Sequence, residues 1–444
     1  MNHTKLFFGI VFASLLVLPA CESDLDQFPT NVASSSSLTD YEGVLNAAYF
    51  YQLGSVTPMA VMGDFRADNA LMLEPPFTEF DMFGPDLIIM EDQFFGPFYT
   101  ALYKSILSAN LVIENSDDAI EVGEAKFLRA LSYFKLVRVF GDVPVNLSGT
   151  PNVTDESILA RQPKDDVYNN VIIPDLNDAI GALNNSGIAS GRASQLAAQA
   201  LLGKVHVQRG DFASAEAPLA NALNAAAAAG VELEDNYGDI FGVDNDLNSE
   251  IIFATQVSSS IPDEYTDSEF WSWYGGLDTK SLTPLDPDLI DAFGGVMSMD
   301  LRFPVVIDTS TLTSSAKYPQ DGGPDHDWIE LRLADVILLY AETLNELNRP
   351  GAEVLALLDP IRDRAGVDRL DTDELDSQAK IRQAIQDERR IELAFEGQRW
   401  FDLVRTGTVS QELGVAVDPN YFLFPIPESE IFSSFEVITQ NPGY

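Results

Sequence analysis

Phe270-Trp271-Ser272-Trp273-Tyr274-Gly275-Gly276 packs four aromatic rings into five consecutive positions, which is chemistry suited to holding sugars. Sugar rings present apolar C–H faces that lie flat on aromatic rings, while their hydroxyls need amide, carboxylate or guanidinium partners in fixed positions. On an extended segment Trp271 and Trp273 project together, with Tyr274 beside them and Phe77 contributed by a second aromatic region. The stretch Gly63-Asp64-Phe65-Arg66-Ala67-Asp68-Asn69 offers polar partners in Arg66, Asp68 and Asn69. Plainer readings stand beside these: the rings form a small satellite core beneath a loop, and the charges pair with one another.

A second arrangement is Glu388, Glu392 and Glu396, four residues apart, which a helix lines up in one stripe. Paired carboxylates of this kind perform glycoside hydrolysis when one donates a proton and the other acts as nucleophile or base. Like charges at this spacing destabilise a bare helix, so cations must stand near. Arg389, Arg390, Arg399 and Arg405, with Arg362 and Arg364 from the preceding segment, make a salt-bridged scaffold the favoured reading. Histidine chemistry has little material, since His3, His206 and His326 are scattered and suggest neither a Ser-His-Asp set nor a metal cluster. Asp244-Asn245-Asp246-Leu247-Asn248-Ser249-Glu250 alternates oxygen ligands as a structural calcium loop would, yet lacks the central glycine and twelve-residue frame of an EF-hand. An acidic turn before a strand is the alternative, and no other cofactor is expected.

These groups need elements to position them. Helical periodicity dominates, as in Leu333, Val336, Ile337, Tyr340, Ala341, Leu344 and Leu347, and again in Phe127, Leu131, Phe134 and Val137. Gly203, His206, Gly210, Phe212, Ala215, Leu219 and Ala222 fall at the small and apolar positions of a tetratricopeptide helix pair, with Gly210-Asp211 as its turn. The expected fold is therefore mostly α: a superhelix of tetratricopeptide-like pairs with long ordered loops and a few short strands. Strands are expected at Glu250–Gln256, Pro304–Ile307 and Phe422–Pro427. Two loop regions, roughly Met62–Pro97 and Ser258–Gly323, are rich in Gly, Pro, Asp and aromatics, and ligand contact is expected there.

The start of the chain sets its compartment. Lys5 and the apolar run from Leu6 to Leu18 precede Leu18-Pro19-Ala20-Cys21, which holds the only cysteine. A short apolar run behind a cation is a secretory signal, and Cys21 after small residues resembles the bacterial lipobox, whose cysteine is acylated and becomes the N-terminus. Residues 1–20 thus read as signal peptide, 21–37 as a lipid-anchored tether, and 38–444 as the helical domain. With Cys21 lipidated no thiol remains for disulfides, thiolate metal sites or nucleophilic catalysis. The 69 acidic and 26 basic residues give a net charge of −43, which argues against nucleic acid or anionic lipid as partner. Several acyl tails, at about 0.8 kcal/mol per buried methylene, can hold such a protein on a membrane its charge would avoid.

Three stretches together resemble the RagB/SusD family of bacterial surface lipoproteins. They are Cys21 through Leu25-Asp26 to Pro29; the run from Ile381 to Gly407 containing Asp387-Glu388-Arg389-Arg390-Ile391-Glu392 and Gly397-Gln398-Arg399-Trp400-Phe401-Asp402; and the ending Phe424-Pro425-Ile426-Pro427 with Gln440-Asn441-Pro442-Gly443-Tyr444. Supporting matches are Phe140-Gly141-Asp142-Val143-Pro144 and Asn248-Ser249-Glu250-Ile251-Ile252-Phe253. Ile431 is followed by Phe432-Ser433-Ser434 where the family often has Asn. The resemblance implies four tetratricopeptide-like pairs beneath a loop-rich ligand face, a lipid anchor on the outer face of the outer membrane, and no catalysis. It also implies oligosaccharide delivery to a SusC-like TonB-dependent transporter. Peptide capture, as in RagB-like relatives, and surface glycoside hydrolysis are the alternatives.

Overall fold

The computed structural model describes residues 40–152, 155–260, 269–319 and 325–444, and Tyr41–Tyr444 forms one compact unit. Cys21 and the signal and tether expected over 1–37 lie outside the described residues. The principal helices are α1 (Glu42–Phe50), α2 (Val56–Asp64), α3 (Gly96–Asn115), α4 (Ala119–Phe140), α5 (Ile173–Ala182), α6 (Gln195–Gln208), α7 (Phe212–Ala226), α8 (Phe270–Tyr274), α9 (Leu333–Glu346), α10 (Gly351–Ala365), α11 (Gln378–Glu392) and α12 (Arg399–Thr406). Short strands are β1 (Val143–Pro144), β2 (Arg161–Gln162), β3 (Ile251–Thr255) and β4 (Trp328–Arg332), paired antiparallel as β1–β2 and β3–β4.

Successive long helices pack on one another from α3 through α7, and α7 then meets α9, which packs on α10 and α11. Local chemistry sets the starts. Asp118, Ser194, Asp211 and Ser377 accept backbone N–H groups in the first turns of α4, α6, α7 and α11, satisfying donors the helix itself leaves unpaired. The expected tetratricopeptide pair is α6–α7. Gly210 turns between the helices at φ 70°, and Gly203 lies so close to α7 that an added Cβ would sit 2.4 Å from the Leu219 side chain. A mostly helical superhelix is thus what the chain forms.

One large core runs through most of the unit, and a smaller one joins α9, α10 and α11 through Leu338, Leu344, Leu358, Ile361 and Ile385. Of the three expected strands one forms. β3 pairs with β4, Ile251 opposite Arg332 and Thr255 opposite Trp328, and β4 leads directly into α9. Phe303–Val306 is a turn of helix rather than a strand, with Pro304 in the first turn, where its missing N–H costs nothing. Phe422–Pro427 joins no ladder, because Pro425 and Pro427 have no donor to give. Instead Phe424 donates to Val139 O at 2.9 Å, Ile426 N donates to the Gln440 side chain at 2.7 Å, and Asn441 donates to Phe140 O and Phe424 O.

Candidate functional site

Residues 270–274 are helical, which overturns the expectation that the two tryptophans project together. Positions two apart on a helix differ by about 200° in direction, so one ring faces inward when the other faces out. Trp273 is fully buried, meeting Phe65, Phe77 and Phe94 edge to face at 6.1, 5.6 and 5.5 Å. Tyr274 is buried too, stacked on Phe65 at 5.6 Å, and its hydroxyl donates to Asp64 Oδ2 at 2.6 Å. Phe77 is 9% exposed and belongs to the same aromatic core. Trp271 alone keeps surface, its ring 6.0 Å from that of His326. The aromatic segment is therefore chiefly a pillar beneath the loops.

The polar partners expected from 63–69 are also spent internally. Arg66 is fully buried, donates to Phe80 O and Tyr421 O at 2.8 and 2.9 Å, and lies over the rings of Phe83, Trp400 and Phe424. Burial lowers its pKa to about 10, although Tyr444 and Asp81 pull the other way. Asp68 receives both Nε and Nη2 of Arg399, at 2.7 and 2.8 Å, and Arg390 approaches at 3.2 Å. Asn69 accepts from Arg390 Nε at 3.1 Å. Asp64, fully buried, accepts the Gly397 N–H at 2.7 Å, and burial lifts its carboxyl to about 6 although Tyr274 and Gly397 pull the other way. As the chain is folded, Trp273, Tyr274, Phe77, Arg66, Asp68 and Asn69 cannot present a face to a ligand, because packing and ion pairing consume them.

Glu388 and Glu392 lie on α11, whereas Glu396 falls in the turn just beyond its end rather than on the expected helical stripe, and all three carboxylates are sealed by cations. Glu388 receives Arg302 at 2.6 Å and pairs with Arg362; Glu392 receives Arg302, Arg332 and Arg364 at 2.9, 2.7 and 2.5 Å; Glu396 receives Arg332 and Lys317 at 2.8 and 2.6 Å. The arginines around Glu392 outweigh its burial and hold its carboxyl at about 2, too acidic to carry a proton to a leaving group. The salt-bridged reading of this stripe therefore describes it. Arg362 and Arg364 pair with it as the sequence suggested, whereas Arg389, Arg390, Arg399 and Arg405 serve other carboxylates. Arg302, Arg332 and Lys317 come from distant segments, and no local spacing marks them.

Glu250, last of the alternating oxygens, is committed to Arg332 and Arg364. Asn248 donates to Ile240 O and Asn245 O, each at 2.9 Å, which gives this stretch the form of a turn leading into β3. Asp246 faces Asp327, and burial together with the neighbouring carboxylates lifts them to about 6 and about 7. Among the described residues no group of three His, Cys, Asp or Glu is arranged to hold a metal.

What the loops do open is a cleft of about 520 Å³ beside the end of α8. Gly275, Gly276 and Leu282 form one wall, Asp308, Thr311, Thr313 and Ser314 another, with Tyr318 and Pro319 also lining it. The Asp308 turn is braced: Ser310 N and Oγ donate to Oδ1 at 2.9 and 2.6 Å and Thr311 Oγ1 to Oδ2 at 2.8 Å, which holds the carboxyl below its usual range. Gly276 has φ 70°, and an added Cβ would meet Leu282 O at 2.9 Å, so the wall requires glycine there. The hydroxyl run Thr309-Ser310-Thr311-Leu312-Thr313-Ser314-Ser315 was the sequence signal for this wall, within a loop region where ligand contact was expected.

Residues 21–207 match a family model described as starch-binding associating with outer membrane, and residues 309–420 match that of the SusD family. A SusD-like protein of Formosa agariphila is 25% identical over 100% of both chains, and a second from that organism is 28% identical across 74% of this chain and 75% of its own. Among solved structures, a SusD superfamily protein of Bacteroides thetaiotaomicron superposes with a TM-score of 0.77 at 21% identity, covering 93% of this chain and 99% of the other. A laminarin binding SusD-like protein gives 0.73 at 25% identity over 92% and 99%. Surface glycan-binding protein A of Bacteroides fluxus gives 0.73 at 20% identity over 93% and 100%. Its N-terminal and C-terminal parts match two SusD-type models, a relative aligned along its whole length is a SusD-like protein, and its fold is that of SusD superfamily structures, so the chain is SusD-like.

Proposed function

We propose that this protein captures oligosaccharide at the outer membrane and hands it to a SusC-like TonB-dependent transporter, without chemical turnover. The observation that carries the reading is the cleft between Gly275-Gly276 and Asp308–Ser314, open and lined by hydroxyls, one carboxylate and backbone groups suited to sugar hydroxyls. Similarity supports it, since a model matching the N-terminal part is described as starch-binding, one structural relative is described as laminarin binding, and another is named a surface glycan-binding protein. In this reading Cys21 is acylated and holds the chain on the cell exterior, and the half-buried Trp271 supplies an aromatic edge near the cleft. Affinity is modest, because rim hydrogen bonds each contribute little net free energy.

The test is calorimetric titration with neutral oligosaccharides and, in parallel, with peptides. Saturable oligosaccharide binding that Thr313→Tyr abolishes, with no shortening of the sugar after prolonged incubation, supports the reading. Peptide binding without sugar binding would move the protein to a peptide-capturing role, and sugar consumption lost on Glu392→Gln would make it a hydrolase. Release of the Cys21→Ala protein from the membrane fraction tests the anchor.

A further inference from the structure

Resting on the carbohydrate reading above, we propose that the ligand face selects uncharged glycans and rejects polyanionic ones, those bearing sulfate or uronate groups. Residues 62–97 and 269–319 interlock: Leu71 N donates to Pro284 O at 2.9 Å, Asp286 N to Asn69 O at 3.2 Å, and Ala70 bridges Leu285. Together these two stretches hold fifteen Asp and Glu residues but only four cations, Arg66, Lys280, Arg302 and Lys317.

None of the four is available to an anion. Arg66 is enclosed by three aromatic rings and donates to two carbonyls. Arg302 is 1% exposed and held by Asp300, Glu388 and Glu392. Lys317, also 1% exposed, donates to Glu396, Ala394 O and the Tyr237 hydroxyl. Lys280 keeps some surface, but its nitrogen lies 3.5 Å from Asp278 and 5.4 Å from the centre of the Trp273 ring.

The acids are disposed in the opposite way. Asp86, Asp92, Glu269, Asp288 and Asp291 are exposed and form no ion pair among the described residues. Among the described residues that line the cleft, Asp308 is the sole charged side chain. Recognition of sulfate or carboxylate depends on arginine or lysine donors, and here a ligand anion would meet carboxylates instead. The net charge of −43 adds a long-range field of the same sign. An uncharged sugar meets no such opposition, and the Asp308 carboxylate gives its hydroxyls a strong acceptor.

The experiment is titration calorimetry of the purified full-length chain at about 50 mM and about 500 mM sodium chloride, where screening is weak and strong respectively. The ligands are neutral glucan, mannan and xylan oligosaccharides, oligogalacturonate, and sulfated galactan oligosaccharides of matched length. The expected result is saturable binding of a neutral oligosaccharide, changed less than about twofold by salt, with both anionic classes at least about tenfold weaker at low salt and gaining as salt rises. An anionic oligosaccharide bound as tightly as the best neutral one overturns the charge selection and leaves carbohydrate capture standing. Failure of every oligosaccharide, charged or neutral, overturns both.

Discussion

Replacing Arg332 by methionine should be among the costliest single changes in this molecule. Its guanidinium is 1% exposed and makes five hydrogen bonds: Nε to Glu396 at 2.8 Å, Nη1 to Glu250 at 2.8 Å and Glu392 at 2.7 Å, and Nη2 to Glu392 O at 2.7 Å and Glu396 at 2.9 Å. Removing it strips three buried carboxylates of a shared partner, and breaking a buried pair from one side costs about 3–5 kcal/mol. Glu392 gauges the surrounding cations as a set, since Arg364, Arg332 and Arg302 together overcome its burial. Its carboxyl falls from the ordinary 4.5 to about 2, and at about 1.4 kcal/mol per pH unit this is roughly 3 kcal/mol. The sign follows from the direction: a depressed folded-state value stabilises above about pH 4.5 and loses that contribution as pH falls towards 2. Urea unfolding followed by circular dichroism at neutral pH should show Arg332→Met lowering the midpoint by several kcal/mol equivalent with the slope unchanged. Arg369→Ala, an exposed pair with Asp363, should leave the midpoint where it was. A cost below about 1 kcal/mol for Arg332→Met would refute the view that this network is a buried, fully satisfied scaffold.

Other outcomes follow from single contacts. Gly203→Ala pushes a methyl into Leu219 and should cost about 1–3 kcal/mol, with Leu219→Ala partly rescuing it in a double-mutant cycle. Trp273→Ala should destabilise by about 3–5 kcal/mol, whereas Trp271→Ala should lower oligosaccharide affinity and leave the melting temperature nearly unchanged, as calorimetry on both variants would read. Asp327 is raised to about 7 by burial first and then by Asp246 and Asp325, so its contribution is fully present below about pH 4 and lost as pH rises through 7. Asp327→Asn keeps an oxygen for the Val257 N–H and should therefore raise the melting temperature at about pH 8 but not at about pH 4. Equal shifts at both values would contradict that account.

The sequence displayed the fold more plainly than the site, for physical reasons visible at particular residues. Gly203, Gly210 and Leu219 carry the α6–α7 pair in their spacing alone, because close helix packing and a left-handed turn each require glycine. The stripe Glu388, Glu392 and Glu396 announced its need for cations, yet Arg302, Arg332 and Lys317 arrive through tertiary folding that no local period encodes. Trp273 and Tyr274 have the composition of a sugar platform, and only the helical turn at 270–274 reveals that they face the core. Val305-Val306-Ile307 has strand-forming residues, but Pro304 after Arg302 starts a helical turn, and bonds from Val305 N and Val306 N to Arg302 O complete it. The cleft wall is made by a braced turn around Asp308, where Ser and Thr hydroxyls read equally well as solvated loop.

The most direct test of carbohydrate capture is a crystal structure of the protein soaked with the oligosaccharide it binds best. The account predicts a sugar ring lying between Gly276 and Thr313, with a hydroxyl donating to Asp308. An oligosaccharide seated elsewhere, as in the hollow of about 250 Å³ formed by Tyr49, Gly191, Arg192 and Phe253, would contradict it.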